Sequence, residues 1–357
     1  MSKFELSLRS IVIGLVLGAI SLLMLAAFAD TGRAQERRSP AARVKGARPA
    51  GGIPPGQAYT QANLISDVEG IGLVHDPLLV NPWGISETAT SPFWVSNNVS
   101  ATSTLYRSAT PFNTVVINPG LPSITIPGDA PTGTVANTTS DFVLPGPCGS
   151  PPCTSRFIFA SQTGNISGWN PNAPAAGSTT AVIAASQPGH VYTGLAMGSS
   201  GIGLNRLYAA DFANGHIDVY DTNFQLINVF GGFSDPTIPS GDPDNTYHPF
   251  NIQNIGGLLY VMYAKVDRTT GEEEAGVGFG FVRRFDADGF RDMTFGVDHG
   301  ELNAPWGATL APATFGTFGG DLLIGNFGEG NPSIHAYDAV SGAPIGTQVD
   351  GPEACCS

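Results

Sequence analysis

From about residue 58 onward, apolar and polar positions alternate in short runs, and Gly, Pro, Asn and Asp break the runs at close intervals. Period-two alternation with such punctuation predicts half-buried strands joined by tight turns. The runs recur in a fixed order five times. The first unit reads Asn81-Pro-Trp-Gly-Ile-Ser86, Phe93-Trp-Val-Ser-Asn-Asn98 and Ser103-Thr-Leu-Tyr106. The second has Pro131-Thr-Gly-Thr-Val135, Phe157-Ile-Phe-Ala-Ser-Gln162 and Gly164-Asn-Ile-Ser-Gly-Trp169, and the third Tyr192-Thr-Gly-Leu-Ala196, Leu207-Tyr-Ala-Ala-Asp-Phe212 and Gly215-His-Ile-Asp-Val-Tyr-Asp221. The fourth has Pro249-Phe-Asn-Ile-Gln253, Leu259-Tyr-Val-Met-Tyr-Ala-Lys265 and Gly280-Phe-Val-Arg-Arg-Phe-Asp286, and the fifth Pro305-Trp-Gly-Ala-Thr309, Leu322-Leu-Ile-Gly-Asn-Phe327 and Ser333-Ile-His-Ala-Tyr-Asp338.

Each unit is an opening strand, an apolar strand with a polar end, and an alternating third strand. The matching residues of the opening motifs, Gly84, Gly133, Gly194, Asn251 and Gly307, are 49, 61, 57 and 56 residues apart. A repeat of that size, with a fourth strand in the variable loop, predicts an all-β chain folded as a β-propeller with five recognisable blades. A two-sheet sandwich leaves the even spacing unexplained. Six blades are expected, with the last cut short before residue 357, or five closing with residues 59–66 as an outer strand. The 46 Gly and 28 Pro, with only 13% charged residues, agree with many short strands and turns.

The amino-terminal part changes the picture of where the protein works. Lys3 and Arg9 precede an uncharged stretch over residues 11–29 that ends Ala27-Phe28-Ala29. This is the layout of an export signal, and its nineteen residues would also serve as an uncleaved anchor. The expected organisation is a signal at 1–29, a disordered linker at 30–57, the propeller at 58–351 and an atypical tail at 352–357. Past residue 50, eight basic residues face twenty-six acidic ones, a net charge of −18. Such a body repels phosphate backbones and anionic lipid, which excludes nucleic acid and any membrane contact beyond the amino terminus.

In the oxidising compartment that export implies, Cys148 and Cys153 are expected to close a small disulfide ring in a Pro/Gly loop. No second Cys or His pair stands at zinc-site spacing beside them, and the adjacent Cys355 and Cys356 carry no readable role. No Gly-x-Ser-x-Gly or His-Glu-x-x-His occurs, which argues against a serine hydrolase and a zincin.

Aligning the repeats puts Asn97, Gln162, Asp211, Lys265 and Asn326 at the polar end of the second strand. This ring is a candidate ligand site, with His248 beside it, or a set of strand caps. Under a metal-dependent reading Asp211, Asn97 and Asn326 would hold Ca²⁺ or another divalent cation in the central channel. The blade-opening aromatics Trp83, Phe250 and Trp306 read as packing between blades or as a carbohydrate platform.

On Asp76-Pro-Leu-Leu-Val-Asn-Pro-Trp-Gly84, Pro249-Phe-Asn-Ile-Gln-Asn-Ile-Gly-Gly257, Asn303-Ala-Pro-Trp-Gly307 and Gly320-Asp-Leu-Leu-Ile-Gly-Asn-Phe-Gly328, the chain resembles a family of exported bacterial six-bladed propellers. That family is related in shape to NHL-repeat and gluconolactonase-like proteins. The resemblance implies a last blade after residue 351 and, in some members, a PEP-CTERM sorting signal; it supplies no reaction. The functional expectation is an extracytoplasmic module that binds or scaffolds a protein, glycan or small molecule. The alternatives are a metal-dependent lactonase or ester hydrolase with its site in the channel, and a surface-matrix component.

Overall fold

The computed structural model describes residues 58–59, 62–109, 114–148, 152–328, 334–347 and 349–350. The expected signal at 1–29, the expected linker at 30–57 and the tail with Cys355 and Cys356 lie outside these residues. The chain folds as a five-bladed β-propeller, each blade an antiparallel sheet of four strands with one more strand attached to blade 1. Blade 1 runs Pro82–Ser86, Phe93–Asn97, Thr102–Ala109 and Thr114–Ile117, and Ser123–Thr125 pairs with its third strand. Blade 2 is Pro131–Ala136, Phe157–Ser161, Asn165–Trp169 and Val182–Ser186; blade 3 is Tyr192–Ser199, Asn205–Asp211, His216–Tyr220 and Leu226–Ile227. Blade 4 is Tyr247–Ile255, Leu258–Lys265, Gly280–Phe285 and Arg291–Asp298, and blade 5 is Pro305–Leu310, Leu322–Asn326, Ile334–Tyr337 and Pro344–Thr347. The fourth strands occupy the variable loops. The stretch expected to add an outer strand does otherwise: Ala58–Tyr59 pairs in parallel with Val349–Asp350, and Ile65–Ser66 with Val74–His75, in two separate small sheets.

A blade exposes an apolar face on each side and buries it only against its neighbours. Trp94 and Leu105 of blade 1 pack on Phe157, Phe159 and Trp169 of blade 2. Ile158, Ala160 and Ile166 then meet Leu195, Leu207 and Tyr220 of blade 3. Ala196, Tyr208 and Val219 meet Ile252 and Val261 of blade 4, and Met262 and Val282 meet Leu322 and Ile324 of blade 5.

The opening motif has a structural cause that the alternation does not reveal. In all five blades the first strand holds one more residue than its partner at the second or third motif position, so each carries a β-bulge there. The motif glycine follows from how closely neighbouring first strands approach. A Cβ on Gly84 would stand 2.6 Å from the Thr132 carbonyl of blade 2, and one on Gly133 would stand 2.7 Å from the Leu195 Cβ of blade 3. Gly194 meets Asn251 of blade 4 in the same manner. Asn251 itself donates to the Trp306 carbonyl of blade 5 at 2.6 Å.

The bulged positions also fill the axis. Trp83 of blade 1 packs edge-on against Trp306 of blade 5 at 5.7 Å and Phe250 of blade 4 at 6.0 Å, and lies 4.8 Å from Phe327. Trp306 Nε1 crosses the ring to donate to the Thr193 carbonyl of blade 3 at 2.9 Å. The blade-opening aromatics are therefore packing residues that tie four blades together at the centre.

Candidate metal centre

In blades 1, 3 and 5 pairing register places the polar end of the second strand opposite the residue two before the motif glycine. Pro82 faces Asn97, Tyr192 faces Asp211, and Pro305 faces Asn326. In blade 2 that position belongs to Ser161, one residue before Gln162, and in blade 4 to Tyr263, two residues before Lys265. The ring read from the repeats is thus shared by three of its five members; the longer strands of blade 4 carry Lys265 past it.

Most of these side chains close their own surroundings. Asn97, fully buried, donates to the Thr102 and Thr104 hydroxyls at 3.1 and 3.0 Å. Asn326 accepts from the Asn303 amide at 3.0 Å and donates to the Glu301 carbonyl at 2.9 Å. Gln162 accepts from Asn98 at 3.0 Å, fastening blade 2 to blade 1. Lys265 pairs with Glu274 at 2.7 Å and lies over the Phe279 ring. His248 Nδ1 donates to the Phe212 carbonyl at 2.6 Å while its ring packs on Gly215. Asn97 and Asn326 are engaged in blades 1 and 5, and neither is joined to Asp211 by any of these bonds. The disulfide between Cys148 and Cys153 is formed, with Cα atoms 5.7 Å apart.

Asp211 has different company. It lies directly across from Tyr192 on the first strand and from His216 on the third. Opposed residues in an antiparallel pair share a face, and Asp218 and Tyr220 follow His216 at steps of two, so all five side chains lie on one side of blade 3. That side faces blade 2, where the loop preceding the first strand packs on Gly164 and Gln187 donates to the Gly164 carbonyl at 2.8 Å. This loop brings in His190. The ligand-type atoms of His190, Asp211, His216 and Asp218 all fall within 4.8 Å of one another.

His190 Nδ1 sits 2.7 Å from Asp211 Oδ2 and 3.0 Å from Asp218 Oδ2, yet this buried nitrogen points along neither contact well enough to make a hydrogen bond. His216 Nε2 is 3.0 Å from Asp218 Oδ1 and 3.7 Å from Asp211 Oδ2. Around the four runs an outer set of bonds. Asp211 accepts from the Val191 amide at 3.0 Å and the Asn214 side chain at 2.7 Å, Asp218 accepts from Tyr192 at 2.5 Å, and His216 Nδ1 donates to the Asn214 carbonyl at 3.3 Å. Such partners orient carboxylates and fix which ring nitrogen is free, as outer groups do around bound metals.

The hydrogen bond to Asp218 raises the His216 imidazole above its usual 6.5, against the opposing effect of burial. Burial works against ionisation of Asp218, but bonds from His216 and Tyr192 outweigh it and hold the carboxyl below its usual range. Burial, with the bond to Asp218 second, pushes the Tyr192 hydroxyl far up, so it stays a proton donor.

Two imidazole nitrogens and two carboxylate oxygens form a donor set for a zinc-type cation; calcium takes oxygen ligands alone. Bonds of about 2.0–2.2 Å in a tetrahedron put ligand atoms roughly 3.4 Å apart; the four groups approach one another at 2.7–3.7 Å along these contacts and all lie within 4.8 Å. Of the residues singled out from sequence, Asp211 alone belongs to this set. His190, His216 and Asp218 were missed. The available signal was His216-Ile-Asp218, two ligand types at strand period in the third repeat.

No family model matches the sequence. The chain is 34% identical over 275 residues to Uncharacterized protein R648 of Acanthamoeba polyphaga mimivirus, covering 74% of this chain but only 62% of that protein's length. Against Uncharacterized protein L690 of the same virus it is 32% identical over 282 residues, 76% of this chain and 70% of that one. Solved structures with a similar arrangement include a chain of a nidogen/laminin complex, with TM-score 0.42, 12% identity and coverage of 78% of this chain and 82% of that one. A gluconolactonase from Xanthomonas campestris gives TM-score 0.35, 14% identity and coverage of 53% and 57%. The five-bladed chain with the blade 3 cluster belongs to the family of the mimivirus protein L690.

Proposed function

We propose that this protein is an exported, non-catalytic binding propeller whose blade 3 carries a divalent metal of the zinc class on His190, Asp211, His216 and Asp218. The observation that carries the reading is the His190 ring nitrogen. It is buried between two carboxylates at hydrogen-bond distance and bonded to neither, as a lone pair directed at a shared ion would be. Four protein groups fill a tetrahedral shell, so the ion holds structure and leaves no open position for water or substrate. It joins the loop before the first strand to the ends of the second and third strands, and that loop rests on blade 2. The metal therefore stiffens the blade 2–blade 3 corner of the face through which the propeller meets a protein, glycan or small molecule.

Aromatic filling of the axis supports a rim site over a channel hydrolase. The export reading rests on the amino-terminal segment and fits the Cys148–Cys153 disulfide, since such bonds persist in oxidising compartments. The test is titration calorimetry on chelator-stripped protein. Zinc is expected to bind at one site per chain and calcium to give no heat; a zinc-silent chain, or one preferring calcium, overturns the reading.

A further inference from the structure

The acidic body contains eight basic side chains past residue 50, and six of them have a carboxylate partner. Arg206 pairs with Asp288, Lys265 with Glu274, Arg268 with Asp244, Arg284 with Asp292, and Arg283 and Arg291 share the buried Asp235. The other two, Arg107 of blade 1 and Arg156 just before the second strand of blade 2, are exposed, and neither guanidinium makes an ion pair, hydrogen bond or ring contact among the described residues. Both line the same cavity, about 370 Å³ in volume, between blades 1 and 2.

The rest of that cavity is built for a ring. Trp94, Phe157 and Trp169 line it, with Trp94 and Phe157 stacked at 4.1 Å and 17°. Trp94 and Asn118, which also line it, each carry a buried polar atom, Trp94 Nε1 and Asn118 Oδ1, that makes no hydrogen bond among the described residues. A cavity of this size falls in the range of small-molecule sites. We infer that the groove between blades 1 and 2 binds a ring-bearing carboxylate of monosaccharide size. The two arginines take the carboxylate, and the ring lies against the aromatic wall.

Free guanidinium groups in an otherwise paired acidic protein are suited to this task because Arg matches a carboxylate with two parallel N–H bonds. The site is separate from the blade 3 cluster and does not depend on a metal there.

The test follows tryptophan fluorescence of the purified chain during titration with D-glucuronate, benzoate, neutral methyl glucoside and inorganic phosphate. Glucuronate or benzoate is expected to give saturable change with Kd at or below about 1 mM, and methyl glucoside and phosphate none. Arg107→Gln and Arg156→Gln should each weaken binding about tenfold or more, while Arg268→Gln, which loses a paired arginine elsewhere, should leave it intact. Because neither pocket arginine has a protein partner, both variants should melt like the parent, which separates lost binding from lost folding. Absence of saturation with both carboxylates, unchanged affinity in the Arg107→Gln/Arg156→Gln protein, or phosphate binding as tightly as glucuronate would overturn the inference.

Discussion

Blades 1 and 3 present the same corner with different chemistry. In blade 1, Asn97 ends the second strand, Thr102 lies opposite it, and Thr104 follows at the next position on that face. In blade 3 the corresponding residues are Asp211, His216 and Asp218. The blade 1 corner is neutral: the Asn97 amide nitrogen donates to both threonines, while its buried Oδ1 makes no hydrogen bond among the described residues. The blade 3 corner is ionisable, gains His190 from a neighbouring loop, and leaves one ring nitrogen between two carboxylates without a hydrogen bond. One backbone geometry therefore carries a strand cap in one blade and a cluster of two imidazoles and two carboxylates in another. The repeat supplies the position; the departure from the repeat supplies the chemistry.

The largest effect should come from erasing that departure. Converting Asp211→Asn, His216→Thr and Asp218→Thr together gives blade 3 the blade 1 corner. Zinc binding is expected to vanish in calorimetry while the circular dichroism stays that of the parent. With a hundredfold excess of zinc over its Kd, the parent should gain about 2.7 kcal/mol, roughly 5 °C or more in Tm, and the triple variant nothing.

Tyr192→Phe is the next step down. It removes the donor to Asp218 and keeps the ring, and should weaken zinc about 10–100-fold without abolishing it. An unchanged affinity would mean that Tyr192 serves packing alone.

Acidity sharpens the contrast further, because of the two corners only that of blade 3 carries imidazoles. With its imidazole raised above 6.5, protonated His216 stabilises the metal-free fold fully below about 6.5, and this contribution is lost as pH rises through the raised value. Zinc must displace that proton, so affinity should fall about tenfold per unit as pH drops below the raised value. The difference in Tm with and without zinc should accordingly widen from pH 6 to pH 8; a flat difference would exclude His216 as a ligand.

Asn97→Ala should have the smallest effect on the metal, namely none. It leaves two threonine hydroxyls without their donor and should cost about 1–3 kcal/mol of stability, seen as a lower denaturant midpoint at unchanged zinc affinity.

The propeller itself was legible because its signal is redundant: the three-strand order appears five times, and its spacing fits nothing else. The inner bulge was not, since Trp83, Phe250 and Trp306 look the same in sequence whether they extend the pairing or interrupt it. The recurring glycine was visible, but its reason, the approach of the next blade's backbone at Gly84 and Gly133, exists only in the closed ring. At the site, counting from the polar end of the second strand reached Asp211 and misplaced Gln162, which follows the last residue of its strand, and Lys265, whose strand runs two residues past the shared register. His190 reaches the cluster from a loop outside the repeat motif, so no alignment of blades points to it. His216 and Asp218 were printed at strand period, though comparison across blades at a single position passes over a pair unique to one.

The most direct test is elemental analysis of the chain after zinc loading and exhaustive dialysis, with the Asp211→Asn/His216→Thr/Asp218→Thr protein treated alongside. The account requires one zinc per parent chain and none in the variant. A parent that retains no zinc, or a variant that retains as much, would contradict it.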